Sequence, residues 1–413
     1  MDTLFRKAAI FHILIASILS SCSSDSSRQA AEPRPPAAYQ MLPQEELPPP
    51  SGSWEVDTVR TFQAPPGLSY DNRGGRVAKI DGRLVLTLLY RQRIVQYDWE
   101  KGQLLREIKL QKEGPHAMQR AYSTSFLSSD SLWVHGADYF RFTLMDGEGK
   151  VYRRVDLGKS ASGKRELSAY SWHHSPIHAV GKQMWFIWTP GNYSSAESRY
   201  TSAQVMPADR IAGQVALGPT PTATDLPLGF PAEYMDKIWV YPDQVLTYWS
   251  WSRDTVYISH PISARVSFYC LGDDTIFSRM VPSVPLAEVL QPLSPVAQFD
   301  RAKAVLAQGY YGPVRYDPWN QLVYRLIIHP QTSVYTSEGT YVQPYDFTYS
   351  VQVMDKKLRL LGEYPIPSER YNSLYAFASP DGLCLTHAHP KHPDLREEEI
   401  GCTCYRWLAD GEK

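Results

Sequence analysis

From residue 54 onward, apolar and polar side chains follow a figure that recurs along the chain. An alternating run is followed by a short polar turn and a second alternating run. Residues 94–110 (IVQYDWEKGQLLREIKL), 141–157 (RFTLMDGEGKVYRRVDL), 203–217 (AQVMPADRIAGQVAL), 264–281 (ARVSFYCLGDDTIFSRMV) and 349–366 all carry it. A period of two sends successive side chains to opposite faces of a strand, so each stretch is expected to be a hairpin of half-buried strands. Asp146-Gly147 with Gly149 is turn chemistry, because glycine reaches positive φ without strain. A shorter strand is expected before each hairpin, at Leu84–Tyr90, Ser131–His135, Met184–Trp188, Val245–Trp251 and Leu322–Ile328.

The turn centres fall near 100, 147, 209, 273 and 355. The first interval, about 47 residues, is close to one four-stranded propeller blade. The wider intervals call for insertions. Pro219–Phe230 is proline-rich and suits one. Arg301–Gln308, with Asp300 as N-cap and Gly309 as terminator, suits a short helix. The last unit has strands near Tyr375–Ala378, Leu383–Ala388 and Cys402–Trp407 and lacks a fourth, which Trp54–Phe62 is expected to supply. A ring closed by both ends of the chain protects its edges. The expected fold is therefore all-β, a six-bladed β-propeller over residues 53–413. Seven blades, or a pair of β-sandwiches, are the alternatives.

Composition agrees with strands: the 413 residues include 27 Tyr and 11 Trp, and aromatic and β-branched side chains fit a pleated surface. The formal net charge of -1, with no long basic run, excludes the electrostatic footprint of a nucleic-acid binder.

The N-terminus reads differently. Arg6 and Lys7 precede an apolar stretch, Ala8–Leu19, too short for a membrane span but suited to a signal peptide. It ends Leu19-Ser20-Ser21-Cys22, which resembles the bacterial lipobox. Residues 1–21 are expected to be removed and Cys22 to carry the lipid. Burying acyl chains is worth about 0.8 kcal/mol per methylene, so a multiply acylated Cys22 would hold firmly to the membrane. Ser23 rather than Asp at the next position points to the outer membrane, on either face. Residues 22–52, rich in Ser and Pro, are expected to be a tether holding the domain off the membrane.

Residues 97–118, ending in Glu113-Gly114-Pro115-His116 and two residues beyond, and residues 311–327 (YGPVRYDPWNQLVYRLI) resemble a group of Bacteroidota lipoproteins. The group is catalogued as domain of unknown function 4221 and is similar to TolB-like six-bladed propellers. The resemblance covers about 54–407. It implies the fold and agrees with the lipobox, and it brings no catalytic residue.

The remaining chemistry is weighed residue by residue. In an exported protein disulfides are permitted, and a Cys384–Cys404 bridge would follow if Leu383–Ala388 and Cys402–Trp407 pair. Small buried thiols are the alternative for Cys270, Cys384, Cys402 and Cys404. His387 and His389, with His392 and Cys402, make a nitrogen–sulfur metal site conceivable, yet no zinc spacing is matched. No metal or cofactor is therefore expected. His173, after Trp172, has the intrinsic pKa of an acid or base but no carboxylate partner. Arg120, Tyr122, Tyr316 and Arg325 would line a propeller funnel, where Arg meets carboxylates and aromatic faces stack on sugars or peptides. In the competing reading Tyr316 and Tyr324 pack between blades and the arginines bridge strands. Asp71, Asp138 and Asp317 are the carboxylates a hydrolase would use. The expectation is a non-enzymatic binding or scaffold module with an envelope protein or glycan as partner. The alternative is a hydrolase of glycans or lactones, recognisable by two or more carboxylates about the ring axis.

Overall fold

The computed structural model describes residues 36–43, 52–68, 74–90, 92–118, 120–136, 141–157, 174–188, 203–205, 209–239, 244–293, 304–333, 346–367, 370–372, 375–387, 392, 393, 396 and 398–409. Numbered in chain order, β1 (Ala38–Met41) and β2 (Gly52–Gln63) precede six four-stranded antiparallel sheets. Blade 1 is β3 (Gly75–Ile80), β4 (Arg83–Leu89), β5 (Arg93–Asp98) and β6 (Leu104–Lys109). Blade 2 is β7 (Ala121–Ser128), β8 (Ser131–Gly136), β9 (Arg141–Asp146) and β10 (Val151–Asp156). Blade 3 is β11 (His178–Val180), β12 (Gln183–Ile187), β14 (Ala212–Ala216) and β15 (Thr222–Asp225), with β13 (Ala203–Gln204) and β16 (Ile238–Trp239) pairing separately. Blade 4 is β17 (Tyr248–Ser252), β18 (Thr255–Ser259), β19 (Arg265–Cys270) and β20 (Thr275–Met280). Blade 5 is β21 (Tyr310–Asp317), β22 (Leu322–Ile328), β23 (Tyr349–Asp355) and β24 (Leu360–Ile366). Blade 6 is β25 (Phe377–Ser379), β26 (Gly382–Thr386), β27 (Glu399–Ala409) and, as its outermost strand, β2.

The two-residue period explains why sheets become a ring. On β12, Met184 and Phe186 join a core with Trp133 and Phe142 of blade 2, while Trp185 and Ile187 join one with Trp249 and Ile258 of blade 4. An inner strand such as β12 thus buries both faces, one against the preceding blade and one against the next. The same division puts Leu86 and Leu88 against blade 6 and Leu89 against blade 2. The last junction packs Tyr324 and Leu326 on Leu383, Leu385 and Tyr405. Trp54 of β2 stacks on Tyr364 and Tyr405 there, 5.7 and 5.6 Å between ring centres. The ring therefore closes with strands from both ends of the chain, as the missing fourth strand implied.

Turn chemistry repeats with the blades. Asp98 Oδ1 accepts from the N–H groups of Glu100 and Lys101, Asp146 Oδ1 from Glu148 and Lys150, and Asp355 Oδ1 from Lys357 and Arg359. Each aspartate ends a third strand and satisfies the turn that leads to the fourth. The single helical turn at 304–308 stops at Gly309, whose φ of 70° is open to glycine at little strain.

Two expectations are corrected. Residues 203–217 are not one hairpin: β14 pairs with β12 and β15, and β13 turns away to β16. The outer turn of blade 3 lies at 217–221 and runs into the stretch expected to be an insertion, because Thr222–Asp225 extends beside Ala212–Ala216. The supposed tether is also not wholly free of structure. Ala38–Met41 runs parallel to β20 as a fifth strand of blade 4, and Tyr39 donates its hydroxyl to the Gly229 carbonyl at 2.9 Å. Its few apolar groups suffice because the pairing edge was already in place.

Candidate functional site

The innermost strands of the blades surround the ring axis. One cavity takes a wall from every blade, represented by Arg76, Ser123, His178, Trp251, Arg315 and Phe377 in order around the ring. It is the axial channel, and it encloses about 120 Å³. Gly75 keeps blade 1 close to blade 6, since a Cβ there would lie 2.7 Å from the Phe377 ring.

Arg315 sits near the axis. Its Nε donates to the Ala376 carbonyl at 2.8 Å, just before β25, and its Nη1 to the His174 carbonyl at 3.0 Å, just before β11. Blades 3 and 6 lie opposite each other in a ring of six, so a guanidinium bonded to both reaches across the middle. Burial pulls its pKa down to about 10. Arg76, on β3, lines the same channel, and burial lowers its pKa as well. Among the described residues no hydrogen bond or salt bridge engages Arg76. His178 completes the polar wall. Burial first, and the charge of Arg76 second, lower it to about 4, so its imidazole is neutral at pH 7. It stacks on Trp251, 4.8 Å between ring centres and 6° from parallel, with Nε2 3.3 Å from the Arg253 carbonyl oxygen.

Among the described lining residues there is no Asp or Glu. Three lining hydroxyls are engaged by the fold: Ser123 Oγ accepts from Ile177 N–H at 2.7 Å, Ser250 Oγ from Tyr316 N–H at 2.9 Å and Thr87 Oγ1 from Gln96 Nε2 at 3.3 Å. The wall offers cationic donors and aromatic rings, and no activated nucleophile.

The chain is similar to the DUF4221 propellers. A crystal structure of a DUF4221 family member from Bacteroides vulgatus superposes at TM-score 0.71 with 15% identity, covering 87% of this chain and 99% of the other. A candidate exported protein from Bacteroides fragilis gives TM-score 0.50 at 9% identity, covering 86% and 95%. A streptogramin B lyase gives 0.42 at 11%, covering 84% and 98%, too distant for its chemistry to be transferred. No family model matches the sequence, and no curated protein matches it. The expected propeller and its likeness to DUF4221 thus stand at the level of fold.

Against that DUF4221-like ring, the residues singled out from sequence scatter. Tyr316 lines the channel and stacks on Tyr257 of blade 4 at 5.0 Å, so it is both wall and inter-blade packing. Arg325 is at no mouth of the ring: it is fully buried on β22, and its guanidinium is bonded to blade 4. Tyr122 is buried on β7, Arg120 is half-buried just before that strand, and neither is in the channel wall. Arg120, Tyr122 and Arg325 therefore do not converge. His173 and Cys22 lie outside the described residues, as do His389, Asp71 and Asp138. Asp317 caps the turn after β21, accepting from the N–H groups of Trp319 and Asn320 and from the Tyr324 hydroxyl, while burial raises its pKa.

The cysteines settle as one of the two readings. Cys384 and Cys404 face each other across β26 and β27 and form a disulfide. Cys402 is a buried thiol beside it, its pKa pushed up to about 12 by burial. The conceived nitrogen–sulfur site is not assembled among the described residues. His387 bonds the Thr403 hydroxyl at 2.8 Å and stacks on His392 with ring centres 3.8 Å apart, and the sulfur group near Cys402 contains only the disulfide partners.

Arg76, His178 and Trp251, the residues that build the channel wall, were missed. An arginine directly after Gly74-Gly75, at the start of a short strand, was the available signal.

Proposed function

We propose that this chain is an envelope lipoprotein, lipidated at Cys22, whose propeller is a non-enzymatic binding module that takes its ligand in the axial channel. The observation that carries the reading is the make-up of the channel wall: two arginines, a neutral histidine and tryptophan faces, without a carboxylate among the described residues. A glycan hydrolase needs paired carboxylates or an activated nucleophile at that place. Concave sites with a few convergent polar groups in an aromatic wall are how folds hold small ligands. The lipobox at Leu19–Cys22 supports the anchor, and the exported character of the disulfide supports the compartment.

Two measurements test it. Cys22→Ala should release the protein from the membrane fraction and abolish incorporation of labelled fatty acid; retention of both would end the lipoprotein reading. Small molecules co-purifying with the intact protein, identified by mass spectrometry, should be displaced by Trp319→Ala in the channel wall. A retained ligand would move the site elsewhere.

A further inference from the structure

We infer that the channel is a receptor for a single oxyanion group, a carboxylate, sulfate or phosphate, carried on a small polar ring-bearing molecule, with Arg76 reading the charge. The inference rests on the axial channel being the binding site, as proposed above.

Charge comes first. Many described arginines meet an acid: Arg60 meets Asp381, Arg93 meets Glu107, Arg265 meets Glu233 and Arg359 meets Asp355. The two channel arginines do not. Arg315 spends its N–H groups on three backbone carbonyls, which hold it in place and leave its charge unneutralised. Arg76 has all its donors free of described partners. Arg315 is buried and Arg76 half-buried, each without a counter-charge, and an anion in the cavity that both line relieves part of that cost. The planar fork of Arg76 fits two oxygens of one oxyanion.

Space decides the rest. The axial cavity of about 120 Å³ suits one small group rather than a whole ligand. A second cavity of about 390 Å³ shares Arg76, Thr87, Thr124 and His178 with it and opens between blades 1 and 2. Lys79 stands on its wall, and Asp81, the acid there, is turned to the Ser129 N–H at 2.9 Å. The shared residues make Arg76 the hinge point between the two spaces. The anionic group lies in the axial cavity, near Arg76 and Arg315, and the ring-bearing body extends into the side cavity or against Trp319.

Calorimetric titration of the full chain in detergent tests this with inorganic phosphate, inorganic sulfate, glucuronate, glucose 6-phosphate and neutral glucose. The expected result is one site, with glucuronate or glucose 6-phosphate bound more tightly than either bare anion and glucose not bound. Which of the two sugars is preferred tells carboxylate from phosphate. Arg76→Gln should weaken the charged probes at least tenfold while its melting temperature holds or rises, because a half-buried charge without a counter-charge is removed. Glucose bound as tightly as glucuronate, unaffected by Arg76→Gln but lost in Trp319→Ala, would overturn the anion assignment and leave the channel reading intact. Failure of every charged probe up to about 10 mM would also overturn it. Binding indifferent to both Arg76→Gln and Trp319→Ala would overturn the channel reading itself.

Discussion

Arg325 Nε donates to Ser259 Oγ at 2.8 Å, joining β22 of blade 5 to β18 of blade 4. Its Nη groups donate to the carbonyls of Ala264 at 3.0 Å and Ser263 at 2.6 Å, and the guanidinium lies over the Tyr311 ring at 4.2 Å. The arginine adds donors to carbonyls at the bend between β18 and β19, one of which, that of Ala264, also accepts from the Val281 N–H at 2.9 Å. Arg325→Met should lower stability by about 3 kcal/mol, since it removes several buried hydrogen bonds between blades 4 and 5 at once. Denaturant midpoints check this, and titration of the channel probes should be unchanged in the same variant.

Histidine sets the acid limit. His174 and His260 are lowered to about 3 and His178 to about 4, in each case first by burial. Their folded values lie below the ordinary 6.5, so the unfolded chain takes up protons that the fold refuses. The stability this contributes is present above pH 6.5 and is lost as the pH falls from there toward 3–4. Melting temperature should be flat from pH 8 to 7 and fall below 6.5. His260→Gln, which can keep a bond to Thr247 Oγ1, should shallow that fall.

The Cys384–Cys404 bridge closes a 20-residue separation inside the blade that completes the ring. Replacing both by Ser should cost about 3 kcal/mol, and a reducing agent should shift the wild-type melt by a similar amount. Cys402, buried and held as a thiol, should resist iodoacetamide in the folded protein while half-buried Cys270 is alkylated. Peptide mapping distinguishes the two.

Deleting residues 36–43 should lower the melting temperature and cause concentration-dependent self-association, measured by size-exclusion chromatography. The deletion removes β1, uncovers the hydrogen-bonding edge of β20, and takes away the Pro43 carbonyl that Arg279 Nη1 meets at 2.5 Å. A mere spacer would be deleted without effect.

Most of the ring was legible because its information is local. Alternation marks strands, and turn aspartates such as Asp98 and Asp146 mark where the third strand passes to the fourth. Counting strands in the last unit showed that one was missing, and Trp54–Phe62 was the remaining candidate. The misread stretch at 203–217 failed for the same reason: its alternation is real, but two of its residues pair with distant β16 rather than with their neighbours.

The sequence by itself marked many of the strands, the closing strand, a ring expected to have six blades and a pair of cysteines able to meet across one hairpin. Each follows from side-chain period and turn chemistry within a few tens of residues. Tertiary structure alone decided which polar residues face the axis. Arg315 and Arg325 sit on neighbouring strands of one blade, yet one crosses the channel and the other is sealed between blades. A two-residue period says which face of a strand a side chain leaves by. It does not say what stands opposite, because that depends on blades joined through contacts more than a hundred residues apart, as between Arg315 and His174.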